Sequence, residues 1–389
     1  MTLIMICLLL LFIVIRSLKY LSIRNFIGTR QLDLKKNPKV SLIQPISKGA
    51  TNLESNLISR FEQTKLSKIQ HILICDELAT DLIGLCKKLQ SKYTRNEIVL
   101  LVAKKELSPV ASKITKMNLG LKKANGKLIA FIDDDIELLN DGLYQLVQHL
   151  YTEQNTGVVF GLPIAVSNES IWSTVNSLFV NSQAYFSYIP LTYFISPYTI
   201  TGHLFILKRE VLESVGAFNG MNQNFDDDHD LGRRLINSGY VCIQSSVPYK
   251  VHNHIASFNL LSKQIKRWFM MPRQAMIQNT NLKERLVTLI LSIDFFIPLF
   301  IAFFVLIAFS LVNFYSLLVF IFIFILIDQI HLKKNLHQHF KFANLTLYPL
   351  VIFVIPLLSI ITLLTPNTHV YWRGQKLKLK NNGSFEVLE

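Results

Sequence analysis

The chain has 389 residues, 50% of them hydrophobic, and a formal net charge of +14. That length holds one large domain or two smaller ones, and a mean hydropathy of +0.34 argues against a purely soluble enzyme and for membrane segments. The charge asks for an anionic partner, with nucleic acid, acidic lipid headgroups and a nucleotide ligand all candidates, and membrane segments favour the lipid surface. Cys7, Cys75, Cys86 and Cys242 show no CxxC spacing, which points to neither a zinc site nor a disulfide framework and is compatible with a reducing compartment.

Leu3 to Ile15 are uninterruptedly apolar, and Arg16, Lys19, Arg24, Arg30, Lys35, Lys36 and Lys39 follow with almost no acid between them. No basic residue precedes the run and no small-residue cleavage site follows it, so residues 1–23 read as an uncleaved anchor. The run is short of the ~20 residues a span needs, so Arg16 and Lys19 are expected to snorkel while the helix continues to Ile23. The basic flank, and the domain after it, are expected to face the cytoplasm.

From Val40 the texture changes. VSLIQPI, HILICDE, EIVLLVA, KLIAFID and GVVFGLP are strand-like apolar runs separated by polar, helix-like segments, a pattern that predicts an α/β domain with a mostly parallel sheet and helices on both faces. Between the second and third runs, Leu82, Leu85, Cys86 and Leu89 recur at helical spacing with lysines opposite, which is a packing helix.

The fourth run ends in three aspartates, LIAFIDDDIEL over 128–138. Ligands collect where parallel strands end, and in an extended segment Asp133 and Asp135 would share a side and could hold a divalent cation while Asp134 faces away. The same cluster is also what a loop start or a helix cap looks like.

TITGHLFILKREVLESVGAFNG predicts a glycine-interrupted strand, a basic turn and a short helix ending at Gly216. A second acidic cluster follows: Asp226, Asp227, Asp228 and Asp230 precede a helix with Leu231 and Leu235 on one face and Gly239 at its end. Four acids are more than capping and the macrodipole require. Beyond Val251, Leu261, Ile265, Trp268 and Phe269 fall on one side of a helix and Lys263, Lys266 and Arg267 nearer the other; its place just ahead of the spans favours an interfacial helix over an ordinary core helix. Leu286 to Ile327 is long enough for two spans with a break around Ser310 to Tyr315. A basic loop with His331, Lys333, Lys334 and Lys341 follows, then a third span from Leu345 to Leu364. Asp294 is an intramembrane acid and so a functional candidate; Asp328 is expected at an interface. The expected organisation is an anchor (1–23), a catalytic domain (40–255), an interfacial helix (256–282), a membrane region (286–365) and a basic tail (366–389). One N-terminal and three C-terminal spans leave that tail opposite its charge unless one segment is re-entrant or interfacial.

Together these residues resemble the ceramide glucosyltransferase-like family of inverting, membrane-bound nucleotide-sugar glycosyltransferases. VSLIQPISKG resembles the opening strand and turn, CKKLQSKY the first helix, ITGHLFILKREVL the acceptor-side strand, QIKRW (Gln264 to Trp268) the (Q/R)xxRW motif, and WRG (Trp372 to Gly374) the family's tail. The resemblance implies a GT-A-like domain. In it Asp76 of ICDE binds the donor's uracil or ribose, Lys113 of ASKI lies beside the donor, and Asp133 with Asp135 holds Mg2+ or Mn2+ against the diphosphate. Asp228 is the general base, with Asp227 where the family often has Glu, and Gln264, Arg267 and Trp268 complete the donor pocket. The acids around Asp76 do not align cleanly, so Glu77 and Asp81 stay open for its role. His203 reads as a satisfied polar side chain near the cleft and His229 as a solvated loop histidine; His252 and His254 have metal-like spacing with no third ligand near in sequence. The implied partners are a nucleotide-sugar donor such as a UDP-hexose, a lipid acceptor and the membrane. The implied reaction is transfer of a hexose, glucose from UDP-glucose, to a lipid hydroxyl such as that of ceramide. A processive polysaccharide synthase shares the motifs, and a non-catalytic membrane receptor or scaffold would keep only the fold.

Overall fold

The computed structural model describes residues 2–28, 32–104, 112–139, 141–167, 170–221, 227–271, 279–338, 341–365, 369–372, 375–380 and 385–388. Asp226, Arg30, Arg373 and Gly374 lie outside them.

An eight-stranded sheet carries the domain. Its strands are β1 (Val40–Ile46), β2 (Ile69–Asp76), β3 (Glu97–Ala103), β4 (Leu128–Ile132), β5 (Ile136–Leu138), β6 (Thr156–Ala165), β7 (Leu204–Lys208) and β8 (Val241–Val251), in the order β3-β2-β1-β4-β7-β6-β8-β5. β1 pairs in parallel with β2 and β4, β2 with β3, and β6 with β8, while β7 and β5 run antiparallel to their neighbours. Every residue of β1 and β4 is buried, as expected for strands covered on both faces. The covering helices include α2 (Leu53–Phe61), α3 (Thr80–Lys92), α4 (Ser112–Leu121) and α5 (Gly142–Leu150), and Leu82, Cys86 and Leu89 form the inward face of α3. β1 sits between β2 and β4, so the chain reverses its direction of travel across the sheet there. That switch point opens a crevice at the strands' carboxyl ends, where the aspartate triplet begins.

The membrane portion opens with α1 (Thr2–Ile27). Between β6 and β7, where the sequence carried no expectation, the described residues form α6 (Ile171–Phe179), a π-turn (Val180–Ala184) and α7 (Tyr185–Leu191), packed among apolar side chains of α1 and the later helices. α8 (Arg209–Ser214) and α9 (Asp227–Asn237) flank β7 and β8, with Gly216 and Gly239 at positive φ as expected for helix ends. α10 (Phe258–Met271) buries Leu261 and Ile265. α11 (Leu282–Ile307) and α12 (Leu311–Asn335) follow. The last apolar stretch runs from a 3-10 turn (Phe342–Leu347) through a π-turn (Leu350–Val354) to α13 (Ile355–Leu364). Among the described residues, four helices are long and apolar enough to cross a membrane: Leu3–Ile27, Leu282–Ile307, Leu311–Asn335 and Phe342–Leu364. A small antiparallel sheet, β9 (His369–Trp372), β10 (Gln375–Leu379) and β11 (Phe385–Val387), ends the chain, and its Leu377 and Phe385 pack into the core of the catalytic domain.

Four expectations for the spans change. Arg16 and Lys19 do not snorkel: Arg16 is 0% exposed and Lys19 4%. Arg16 pairs with Asp294 at 3.2 Å and Asp328 at 2.9 Å, and Lys19 with Asp294 at 2.6 Å. Asp328 is therefore fully buried rather than interfacial. His331 belongs to α12, not to a loop, and its Nε2 meets the Asn181 carbonyl at 2.8 Å. The break between the two spans lies at Ala308 to Ser310, where Ser310 caps α12 by accepting from the Asn313 N–H. For Arg16, Lys19, Asp328 and His331 a partner distant in the chain offers the polar group more than the membrane surface would.

Candidate active site at the strand ends

The chain turns immediately after Ile132, so the triplet is not an extended segment. The Asp133 N–H donates to the His203 carbonyl at 2.9 Å and the Asp135 carbonyl accepts from the His252 N–H at 2.9 Å. Asp134 is buried, at 8% exposure. Its carboxylate accepts from the Ser47 N–H at 2.8 Å, and its carbonyl from Asn56 at 2.9 Å. Beneath the turn Arg60 is buried, donating to the Asp133 and Ile136 carbonyls at 2.6 and 2.7 Å and to Gln44 Oε1 at 2.9 Å. Burial lowers Arg60 to about 10 against the pull of the three aspartates, so it remains a cation and braces the turn.

Two of the triplet carboxylates have different surroundings. Asp133 meets Lys113 Nζ at 3.0 Å, and the same ammonium lies 3.9 Å from Asp227 Oδ2 and donates to the Gly202 carbonyl at 3.0 Å. Burial alone would lower Lys113, but Asp133, Asp227 and Asp228 outweigh it and hold the ammonium above its usual range. Asp228 accepts from the Gly202 N–H at 3.1 Å. The first turn of α9 is thereby drawn to the end of β4, and α9 is tied to α11 by Arg233 Nη1, which donates to both Glu284 carboxylate oxygens at 3.0 and 3.1 Å. Asp135 is pushed up to about 7 by burial and by its neighbours Asp133 and Asp134. Its Oδ1 is buried with no hydrogen-bond partner among the described residues.

Asp76 stands at the end of β2, adjacent to the end of β1. Lys116 holds it at 2.8 Å and also donates to the Ile46 carbonyl at 2.9 Å and Ser47 Oγ at 3.1 Å; the Lys48 N–H completes the contact at 3.2 Å. Glu77 and Asp81 are exposed. The QxxRW residues lie on α10. Arg267 is near enough to act on His203, which burial, with the Lys113 and Arg267 charges, lowers to about 4 despite Asp133. His203 is thus neutral, and the Tyr249 hydroxyl, held a phenol by burial, shares a hydrogen bond with its Nδ1 at 3.3 Å. Trp268 stacks on Phe179 of α6 with centroids 6.0 Å apart, and Phe269 on Phe295 of α11 at 5.7 Å. Gln264 is half-buried on the same helix. His229 is not a solvated loop residue: it is 2% exposed in the first turn of α9, because that turn packs inward. His252 meets Glu137 at 2.8 Å rather than a cluster of ligands.

The triplet fits a divalent cation. The sequestered Asp135 Oδ1 is an acceptor that a cation would satisfy, and Asp133 is its carboxylate neighbour. Among the described residues no group of three or more His, Cys, Asp or Glu side chains could hold a metal by itself, which is the situation of Mg2+ sites completed by substrate phosphates.

The model of glycosyl transferase family 21 matches residues 2–385. The chain belongs to that family. A relative of this family 21 chain is the minor teichoic acid biosynthesis protein GgaB of Bacillus subtilis (strain 168), 31% identical over 130 residues; these cover 33% of the chain but only 14% of GgaB. Among solved structures, the mannosyltransferase PcManGT from Pyrobaculum calidifontis, in complex with GDP-Man and Mn2+, superposes with a TM-score of 0.53 at 15% identity, over 93% of this chain and 98% of that one. At that identity the likeness establishes the shared GT-A-like fold.

The sequence pointed to Asp76, Lys113, Asp133, Asp135, Asp227, Asp228 and α10; the structure gathers Asp133, Asp227 and the Gly202 backbone at Lys113, with Asp228 on the Gly202 N–H, and holds Asp76 at Lys116 at the end of β2. It did not point to Arg60, Lys116 or Gly202. A faint signal existed for the two cations: each sits among the apolar positions of its helix, Arg60 beside Leu57 and Phe61, and Lys116 beside Met117.

Proposed function

We propose that this family 21 chain is a metal-dependent, inverting hexosyltransferase that moves a hexose, glucose from UDP-glucose, onto the hydroxyl of a membrane lipid such as ceramide. The observation that carries the reading is the meeting of two carboxylate sets of different character around Lys113. Asp133 belongs to the end of a strand, and Asp227 and Asp228 to the start of a helix. One set suits a donor diphosphate and the other a proton transfer.

In this reading Asp76, anchored by Lys116 and the Lys48 N–H, binds the nucleoside end of the donor at the edge of β2. Lys113, Arg267 and Gln264 face its charged and polar parts, and Trp268 walls the pocket toward the membrane. Asp133 and Asp135 would hold Mg2+ or Mn2+, which when bound offsets the charge of the departing diphosphate. Asp228 takes the proton of the acceptor hydroxyl while that oxygen bonds to the anomeric carbon. The carbon–oxygen bond to the diphosphate breaks, and its electron pair leaves with the nucleoside diphosphate. Asp227 stays charged beside Lys113. One displacement inverts the centre, so an α-linked donor gives a β-linked glycolipid.

The acceptor reaches Asp228 from the bilayer. The aromatic contacts of α10 with α6 and α11 and the apolar helices beyond them support a lipid over a soluble acceptor. We assign residues 40–255 as the catalytic domain, 256–282 as the interfacial segment and 286–365 as the membrane region. The basic residues after α1 support a catalytic domain facing the cytoplasm.

Lipid mass spectrometry of cells with and without the chain reports sugar mass and acceptor together. The expected result is one lipid class gaining a single hexose. An unchanged lipid profile, or a ladder of many hexoses, overturns the proposal.

A further inference from the structure

We propose that the backbone of Gly202 and His203 is a strap that positions the general base against the donor carboxylate. Residue 202 has to be glycine because the Asp228 carboxylate fills the space of a side chain there. The proposal rests on reading Asp228 as the base.

Two consecutive residues reach all sides of the crevice. The Gly202 N–H donates to Asp228 Oδ2 at 3.1 Å, and the Gly202 carbonyl accepts from Lys113 Nζ at 3.0 Å. The His203 carbonyl accepts from the Asp133 N–H at 2.9 Å. Lys113 closes the loop by pairing with Asp133 at 3.0 Å. The end of β4, a lysine of α4 and the first turn of α9 are therefore spaced by two peptide units that continue directly into β7, whose Leu204 pairs with Ile132. Strand pairing fixes the strap, and the strap fixes the carboxylates.

A β-carbon built on Gly202 lands on the carboxylate of Asp228, with Oδ1, Cγ and Oδ2 as its nearest atoms. Gly202 is not among the positive-φ glycines, so its backbone conformation is open to any residue. Close approach alone demands glycine. Because α9 is also held by the Arg233–Glu284 pair, a side chain at 202 would not displace the whole helix; it would push the carboxylate off the place where an acceptor hydroxyl is met. Gly202 acts through the Asp228 carboxylate and not on donor or acceptor, so it is a positioning residue.

The test uses full-length protein in detergent micelles, with nucleotide-sugar binding, sugar transfer and thermal unfolding measured on Gly202→Ala, Asp228→Ala and the double variant. Gly202→Ala is expected to keep donor affinity within about 3-fold and to lower transfer about 100-fold, the usual cost of a displacement of about 1 Å in a reacting group. In the Asp228→Ala background the same change is expected to cost neither further transfer nor unfolding temperature, since the colliding carboxylate is gone. Wild-type transfer by Gly202→Ala overturns the proposal. So does an equal drop in unfolding temperature in both backgrounds, which would mean that the β-carbon meets something other than Asp228. If Asp228→Ala itself transfers normally while Gly202→Ala destabilises only in the presence of Asp228, the base assignment fails and the contact stands.

Discussion

Asp328→Asn changes one oxygen to an amide nitrogen inside the membrane bundle and removes one charge from a neutral set. Arg16 and Lys19 face Asp294 and Asp328, and the Arg16 guanidinium also lies 3.6 Å from the Phe186 ring centroid. After substitution two cations share one carboxylate. Removing one partner of a buried pair costs about 3–5 kcal/mol. Arg16 keeps Asp294, Gln183 at 3.0 Å and Ser182 at 3.4 Å, which places the cost near the lower bound, about 3 kcal/mol. At roughly 2 °C per kcal/mol for a large chain, the unfolding temperature in detergent should fall by about 6 °C. An ordinary interhelical hydrogen bond in a membrane is worth only about 0.6 kcal/mol, so a drop of that size separates an ion pair from a replaceable contact. Arg16→Met should cost a similar amount, and the double variant less than the sum, because Lys19 and Asp294 then balance alone. A single variant within 1 °C of the parent, or strictly additive losses, would refute the reasoning.

Other outcomes follow from the same coordinates. Lys116→Met leaves Asp76 without its buried cation; the KM for the nucleotide sugar should rise at least about 10-fold, with kcat changed much less, since the contact is made in ground and transition states alike. Equal loss in kcat would contradict that assignment. His71 is fully buried beside Phe61 and is lowered to about 3 by burial and the Arg60 charge. Its folded-state value lies below the ordinary one, so its stability contribution is complete above pH 6.5 and lost as pH falls from 6.5 toward 3, at about 1.4 kcal/mol per unit. Unfolding temperatures measured across that window should decline, and His71→Leu should flatten the decline by one proton's worth. An unchanged slope would show that His71 does not titrate on unfolding.

Much of the fold was legible because its signals are local. Each of β1 to β4 is a short apolar run bounded by polar segments, and Leu82, Cys86 and Leu89 show their shared face through spacing alone. The two acidic clusters were visible because they exceed what capping needs. What stayed hidden depends on partners far away in the chain. Nothing near Arg16 in sequence announces Asp294 or Asp328, each more than 270 positions on, and without them a lone arginine in an apolar run reads as a snorkelling one. Arg60 and Lys116 belong to the same class, since backbone carbonyls and a carboxylate from other elements make their burial tolerable. The alternation expected across Asp133 to Asp135 holds only in a strand, and the chain has already turned there. The stretch from α6 to α7 lacks strict periodicity because a π-turn interrupts it, at the point where Asn181 bonds both backbone groups of Ala165 at 2.8 and 2.9 Å.

The most direct measurement is sugar transfer by purified Asp228→Asn protein supplied with nucleotide sugar, divalent metal and lipid, alongside donor binding by the same sample. The expected result is transfer lowered by at least about 100-fold, as for loss of a general base, with donor affinity close to the parent's, since the proposed role of Asp228 is toward the acceptor hydroxyl and not the donor. Transfer at the parental rate would contradict the central claim.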